Sequence, residues 1–496
     1  MTATASPGLR QRIGHGLAWS SVNSLVLRLS SFAVGIILAW LLAPAQFGVF
    51  AVALSVQAVL ISLADLGMSA DLVRSEDPAR KAPTVATLAA VSGTVLTVTM
   101  AASAQGLADL LGSHDAGPVI AVMSLSLLFA SLGVVPYAAL QRQFAQKKLF
   151  GISCVEFVVG TSLTIALVLA GWGVMGLAVA RICSQAVSVV LQFVLSGERP
   201  RFGFDRHVAP GVLDYGLPVA GANMLSWALL NVDTVAISRL AGPVALGFYF
   251  LAFNISNWPM SALGQVVRSV SIPAFARLAR GRSDTSFAAM LGPVWAVSLL
   301  AGLMLAVLAG PVVELVYGPK WLPASLILGW LGIFGALRTL FDLSASYLLA
   351  RGAARVTLFV QVAWIAGLIP AVLLGISLDG TAGVAAAHLA TALLVVCPAY
   401  AVSLGRSGAD LRAVASRLWP PLAAAVPAAA AAMYTISLLP TPLAQLLAGG
   451  AAGAGVYILL LARWFSRQVR AAARWVADTE TPDRGKEVSE TPASTS

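Results

Sequence analysis

The sequence predicts an all-α, polytopic membrane protein of about fourteen transmembrane helices, and three observations carry that prediction. Of 496 residues, 58% are hydrophobic and only 10% are charged, against ~25% charged in an ordinary soluble domain. The apolar residues form long unbroken runs, not the alternation of a β-barrel. Finally, the basic residues fall almost wholly on one side of the spans that those runs define. A spanning helix takes ~20 apolar residues, so fourteen use about 280, close to what the composition supplies. A water-soluble enzyme, a disordered scaffold and a disulfide-rich secreted module are excluded by the same figures. Cys154, Cys183 and Cys397 sit in apolar runs without CxxC partners, and the four histidines are too scattered for a metal cluster.

The first run follows Arg10 and Arg12 and ends near Ala43-Pro44-Ala45, the outline of a cleaved signal. It is about twice as long as a signal's apolar core of ~7–15 residues, and it carries Arg28 at its middle. It is therefore read as a retained first span. Punctuation by polar residues, Gly and Pro then places the first six spans at 16–42, 46–70, 83–108, 117–140, 150–170 and 174–196. Six more follow at 211–240, 244–268, 286–310, 323–350, 356–378 and 381–404, with a last pair at 418–439 and 442–464. The tail from about Ala477 is rich in Thr, Ser, Glu and Pro and is expected to be disordered. With both termini cytoplasmic, 26 of the 31 Lys and Arg residues lie on the inner side. Arg239 and Lys320 lie outside, and Arg28, Arg181 and Arg338 lie within spans. A miscounted span would scramble that split.

A shift of 200 residues places Gly16 on Gly216, Asn23 on Asn223 and Ile37 on Ile237. One deletion later, Pro44 meets Pro243 and Gly48 meets Gly247. Six spans separate the copies, so the halves share one orientation, a parallel repeat about an axis along the membrane normal with a central cavity between the lobes. The expected organisation is an N-lobe at 1–200, a C-lobe at 201–410, an appended helix pair at 411–466 and a largely disordered cytoplasmic tail at 467–496.

Charge at the bilayer centre costs about 2.5–3.5 kcal/mol on insertion scales and normally faces protein or water. In the eighth span, Asn254, Asn257, Ser261, Gln265 and Arg268 share one helical face. Inter-helix hydrogen bonding explains such residues singly, but five over four turns favour a cavity wall. Arg28 lies deep in the first span, with Ser20, Ser24 and Ser31 on its face. It suits either a structural ion pair or a fixed cation for an anionic substrate, since its planar fork matches two phosphate oxygens. Asn223 and Asp233 share a face in the seventh span, and Glu156 lies with Ser153, Gly160 and Thr164 in the fifth. Arg338 and Asp342, four residues apart in the tenth, are spaced to neutralise each other ahead of any ligand contact. Asp233, Glu156 and Asp342 are the candidates for carrying a coupling proton or organising a sodium site. Arg181 and His388 read as isolated structural residues. The chain has no P-loop, Gly-rich nucleotide fingerprint, HExxH or GxSxG, so it is not expected to be an enzyme or to hold a cofactor.

The stretch "GLAWSSVNSLVLRLSSFAVGIILAWLLAPAQFGVFAVALSVQAVLISLADLGMSADLVR" and the later "VYGPKWLPA" (Val316 to Ala324) resemble the polysaccharide-export flippases. These Wzx-type translocases belong to the superfamily that also holds MATE drug exporters and the lipid II flippase. Gly16, Trp19, Leu42, Pro44, Phe47, Gly48 and Asp65-Leu66-Gly67 carry the likeness. The resemblance implies two six-helix lobes around a cation-lined cavity in the bacterial inner membrane. It further implies movement of undecaprenyl-pyrophosphate-linked oligosaccharide by alternating access, with a polysaccharide polymerase and co-polymerase as potential partners and no nucleic acid. On that basis Arg28 would meet the pyrophosphate, while Asn223, Asn254 to Arg268 and Arg338 would line the sugar path. Three rivals remain open at this point: a lipid II flippase, a MATE-type cation or drug antiporter, and a membrane glycan polymerase or ligase. Deep Arg28 weighs against the antiporter, and short outer loops weigh against the polymerase or ligase.

Overall fold

Long apolar runs become helices because, within a bilayer, each backbone N–H and C=O must find its partner inside the chain. The computed structural model describes residues 32–65, 68–199, 201–212, 214, 231–277 and 286–480, and these are helical almost throughout, with no β-strand among them. In order they form α1 (Phe32–Leu41), α2 (Pro44–Asp65), α3 (Met68–Arg74), α4 (Pro78–Leu110), α5 (Ala116–Met123), α6 (Leu125–Leu132), α7 (Val134–Arg142), α8 (Gln146–Leu167) and α9 (Gly173–Ser196). There follow α10 (Val232–Arg277), α11 (Ser286–Val307), α12 (Ala309–Tyr317), α13 (Ala324–Ala350), α14 (Ala354–Thr391), α15 (Cys397–Arg406), α16 (Leu411–Ser437) and α17 (Gly450–Glu480). On α4 the exposed Val91, Val95 and Val98 form an outward apolar stripe suited to lipid.

Among the described residues, seven stretches are long and apolar enough to cross a membrane, and the bent pair formed by α5–α6 and α7 would make eight. Two of the seven run 51 and 52 residues, roughly 77 Å each at ~1.5 Å per residue, more than twice a ~30 Å hydrocarbon core. Each is a helical hairpin. Gly171 and Gly173 take positive φ between α8 and α9, as Gly380 does within α14 and Gly242 within α10. The fold-back is direct at Gly375 and Gly383, where a methyl group on either would meet the other's carbonyl oxygen within 2.3 Å. Counted as hairpins, the described helices are consistent with the fourteen expected spans in their expected order.

The chain divides into two compact units: Met1–Leu251 with Ile376–Thr381, and Ala252–Gly375 with Ala382–Ser496. Within the first, the expected inner connections near residues 72–84, 142–148 and 195–205 lie together at one end. Arg142 donates to the carbonyls of Leu72, Val73 and Ser75, Lys148 donates to that of Leu195, and Asp205 N–H donates to Thr84 Oγ1. At the other end, Arg239 donates to the Leu110 carbonyl. That grouping agrees with the alternation of spans drawn from charge. Within the second unit, α13 is the most deeply buried helix. The appended pair docks on α11, with Trp295 Nε1 donating to the Leu418 carbonyl and Tyr457 to that of Ala296.

Two expectations are corrected. The fourth span, expected unbroken over 117–140, bends by 43° between α6 and α7. Pro136 lacks an N–H, and its ring crowds the carbonyl four residues back, at Leu132. Within the tail, expected to be largely disordered over 467–496 and to lose order from about Ala477, the helix runs on to Glu480. Ala471 to Ala473 favour helix, and Arg463, Arg467, Arg470 and Arg474 recur at helical spacing.

Candidate functional site

Four helices of the first unit, α1, α2, α8 and α9, border an open cavity of about 440 Å³. Its polar lining includes Ser153, Glu156, Thr161 and Thr164 from α8, with Arg181 and Ser184 from α9. Gly160 fixes the register of the two helices, because a methyl group there would lie 3.2 Å from Ser184 Cβ. In that antiparallel register, Glu156 stands about two turns, or roughly 10 Å, from the level of Arg181. Among the described residues, Glu156 and Arg181 form no ion pair with each other. Both lie roughly midway along spanning helices, near the bilayer centre.

The guanidinium is oriented from α2. Arg181 Nε donates to Gln57 Oε1 at 3.0 Å, and Gln57 Nε2 donates in turn to Ser126 Oγ. Ser126 donates to the Met123 carbonyl at 2.6 Å. Gln57 and Ser126 are buried, so this chain is a fixed mount that leaves the Nη face of Arg181 available toward the cavity. Such a cavity can take an anion at Arg181.

In the second unit, Asn254 is exposed, and Asn257 and Ser261 are half-buried. Arg338 Nη1 reaches from α13 to Asn257 Oδ1 at 3.4 Å, whereas an ion pair with Asp342 was the expectation. The packing of α10 against α13 brings that amide oxygen within reach of the guanidinium. Asp342 lies half-buried one turn further on. Asp233 is deeply buried in the first unit. Its Oδ2 accepts from Tyr249 Oη at 2.6 Å and its Oδ1 from the Thr234 N–H at 2.8 Å. His388 packs against the Phe334 ring, in keeping with a structural role. Arg28 and Asn223 lie outside the described residues, and so do the side chains of Gln265 and Arg268. Among the described residues, no three His, Cys, Asp or Glu side chains converge to hold a metal.

Arg181 and Gln57 are the site residues that sequence reasoning passed over. A usable signal existed in Arg181, Ser184 and Ser188 at i, i+3 and i+7, one helical face. Gln57, 124 residues away, had none.

A family model described as polysaccharide biosynthesis protein matches residues 37–326. The lipopolysaccharide biosynthesis protein WzxC of Escherichia coli (strain K12) is 25% identical over 84% of this chain and 86% of its own length. The succinoglycan biosynthesis transport protein ExoT of Rhizobium meliloti (strain 1021) is 26% identical over 90% and 92%. Among solved structures, the lipid II flippase MurJ in an inward closed conformation superposes with a TM-score of 0.73 at 14% identity, covering 92% of this chain and 100% of that one. That likeness is one of fold.

Proposed function

The chain belongs to the polysaccharide biosynthesis protein family matched by its residues 37–326, and from that premise we propose that it is a flippase for lipid-linked oligosaccharide repeat units. The resemblance seen in the sequence agrees with this family, and relatives named for polysaccharide biosynthesis and transport cover most of the chain. The carrying observation is the membrane-embedded cavity with Arg181 mounted on Gln57. An arginine held at the bilayer centre with no ion-pair partner among the described residues is costly, and an anionic headgroup offsets that cost through two parallel hydrogen bonds.

In this reading the pyrophosphate of an undecaprenyl carrier meets Arg181 and, from the first span, Arg28. The sugars run along Asn254, Asn257 and Arg338, and the lipid tail stays in the bilayer. Alternating access of two lobes then carries the headgroup across with no covalent bond made or broken. Glu156, Asp233 and Asp342 are the candidates for a coupling proton or sodium ion. The protein would sit in the inner membrane with both termini cytoplasmic, delivering repeat units to a polymerase and co-polymerase on the far side.

Cells lacking the protein should lose an exported polysaccharide while lipid-linked single repeat units build up on the cytoplasmic leaflet. A membrane-impermeant sugar probe applied to intact spheroplasts reads the leaflet. Accumulation accessible from outside would overturn the flippase reading and favour a polymerase. No accumulation, with altered sensitivity to cationic compounds, would favour a drug exporter.

A further inference from the structure

A second cavity, about 480 Å³, opens at the basic end of the first unit, between the starts of α4 and the linker after α9 with α7 on its far side. Its floor is apolar, from Leu72, Ala82, Ala86 and Leu132. Its rim carries Arg142, Arg199 and Arg201 against one carboxylate, Glu198. Arg142 is committed to the three carbonyls that end α3. Arg199 and Arg201 are exposed and, among the described residues, bond to no protein group.

The wall bearing them is held in place. Gly203 N–H donates to Thr87 Oγ1 at 3.0 Å, and that hydroxyl lies 2.8 Å from the Gly203 carbonyl. Asp205 N–H donates to Thr84 Oγ1 at 3.0 Å, and its carboxylate pairs with Arg80 at 3.3 Å. The linker is therefore strapped across α4, and two uncommitted guanidinium groups stand over an apolar floor. Phe202, also lining the cavity, is 60% exposed, which suits contact with acyl chains better than with water.

We propose that this cavity binds an anionic phospholipid of the leaflet at the basic end, with Arg199 and Arg201 on the phosphate and the first methylenes of an acyl chain on the floor. Fixed basic groups at a membrane surface select anionic headgroups, and the floor selects a lipid over a soluble anion. The site is separate from the cavity at Arg181 and does not depend on what that cavity transports.

Purified full-length protein in detergent is titrated with dioleoylphosphatidylglycerol, and retained lipid is counted by native mass spectrometry. Dioleoylphosphatidylcholine (the same tails without net charge) and inorganic phosphate serve as comparison probes. Wild type should retain phosphatidylglycerol, and the R199Q/R201Q variant should bind it about thirty-fold more weakly. Both side chains are exposed, so the variant should keep the wild-type Tm without lipid. A86W, which fills the floor and keeps both charges, should also lose retention. Equal binding by wild type and R199Q/R201Q would overturn the site. Equal retention of phosphatidylcholine would overturn the role of charge, and full displacement by inorganic phosphate would overturn the lipid as occupant.

Discussion

Arg181 donates through Nε to Oε1 of Gln57 at 3.0 Å, joining α9 to α2 across 124 residues of sequence. The bond sets the direction of a guanidinium that lines a membrane cavity. Arg181→Lys keeps the charge but loses both the planar fork and this mount. Export should fall at least ~10-fold, nearly as far as in Arg181→Ala, the scale expected from a charged hydrogen bond of about 1.5–3 kcal/mol. Gln57→Leu should show a smaller fall in the same direction. Export at wild-type level from a normally abundant Arg181→Ala protein would remove this residue from the site.

Gly48 and Gly247, equivalent in the internal repeat, pack reciprocally. A methyl group on Gly48 would lie 1.8 Å from the Pro243 carbonyl oxygen, and one on Gly247 would lie 1.9 Å from that of Pro44. Backbone cannot yield as a side chain does, so Gly48→Ala and Gly247→Ala should each destabilise by about 1–3 kcal/mol or more. Matching losses of Tm in detergent are the expected outcome. An unchanged Tm in either variant would contradict the packing.

The buried hydrogen bond from Tyr249 to Asp233 predicts a coupled pair. Tyr249→Phe leaves the carboxyl one donor short, at about 1–3 kcal/mol, whereas Tyr249→Phe combined with Asp233→Asn should lose less than the sum of the single changes. Additive losses would mean that the two side chains do not interact. If Asp233 also carries the coupling ion, Asp233→Asn should abolish the response of transport to an imposed pH or sodium gradient.

The strap at 203–205 predicts an acid-sensitive linker. The backbone N–H of His207, and then Arg80, holds the Asp205 carboxyl below its ordinary value. A lowered carboxyl steadies the folded strap above the ordinary aspartate pKa of ~3.9 and loses that support as pH falls through the lowered value. A nitroxide on Phe204→Cys, with the native cysteines changed to serine, should be immobilised at pH 7 and freed only when pH falls below the ordinary aspartate range. In Asp205→Asn it should be freer at pH 7 and nearly insensitive to acid. A wild-type spectrum that does not change on acidification would exclude this role for Asp205.

The basic asymmetry predicts sidedness. Reporter fusions after Lys148 and after Arg282 should score cytoplasmic, and fusions at Ser113 and Lys320 external. An external score at Lys148 would overturn the assigned orientation.

The sequence alone determined the helical class, the order of the spans and the repeat that pairs Pro44 with Pro243 and Gly48 with Gly247. These are local or periodic quantities. Backbone hydrogen bonding in a bilayer admits only helices of a set length, and charge counts need no knowledge of packing. Pro136 was equally visible, but whether a membrane helix bends at a proline depends on how its neighbours satisfy the freed carbonyl. The partners of the polar residues were decided by tertiary structure. Arg338 had Asp342 one turn away on its own helix and bonds instead to Asn257, 81 residues distant. Arg181 looked solitary until Gln57 met it from another span. A buried polar group takes whichever acceptor the packing of helices brings within about 3 Å, and spacing along one helix cannot reveal a partner on the next.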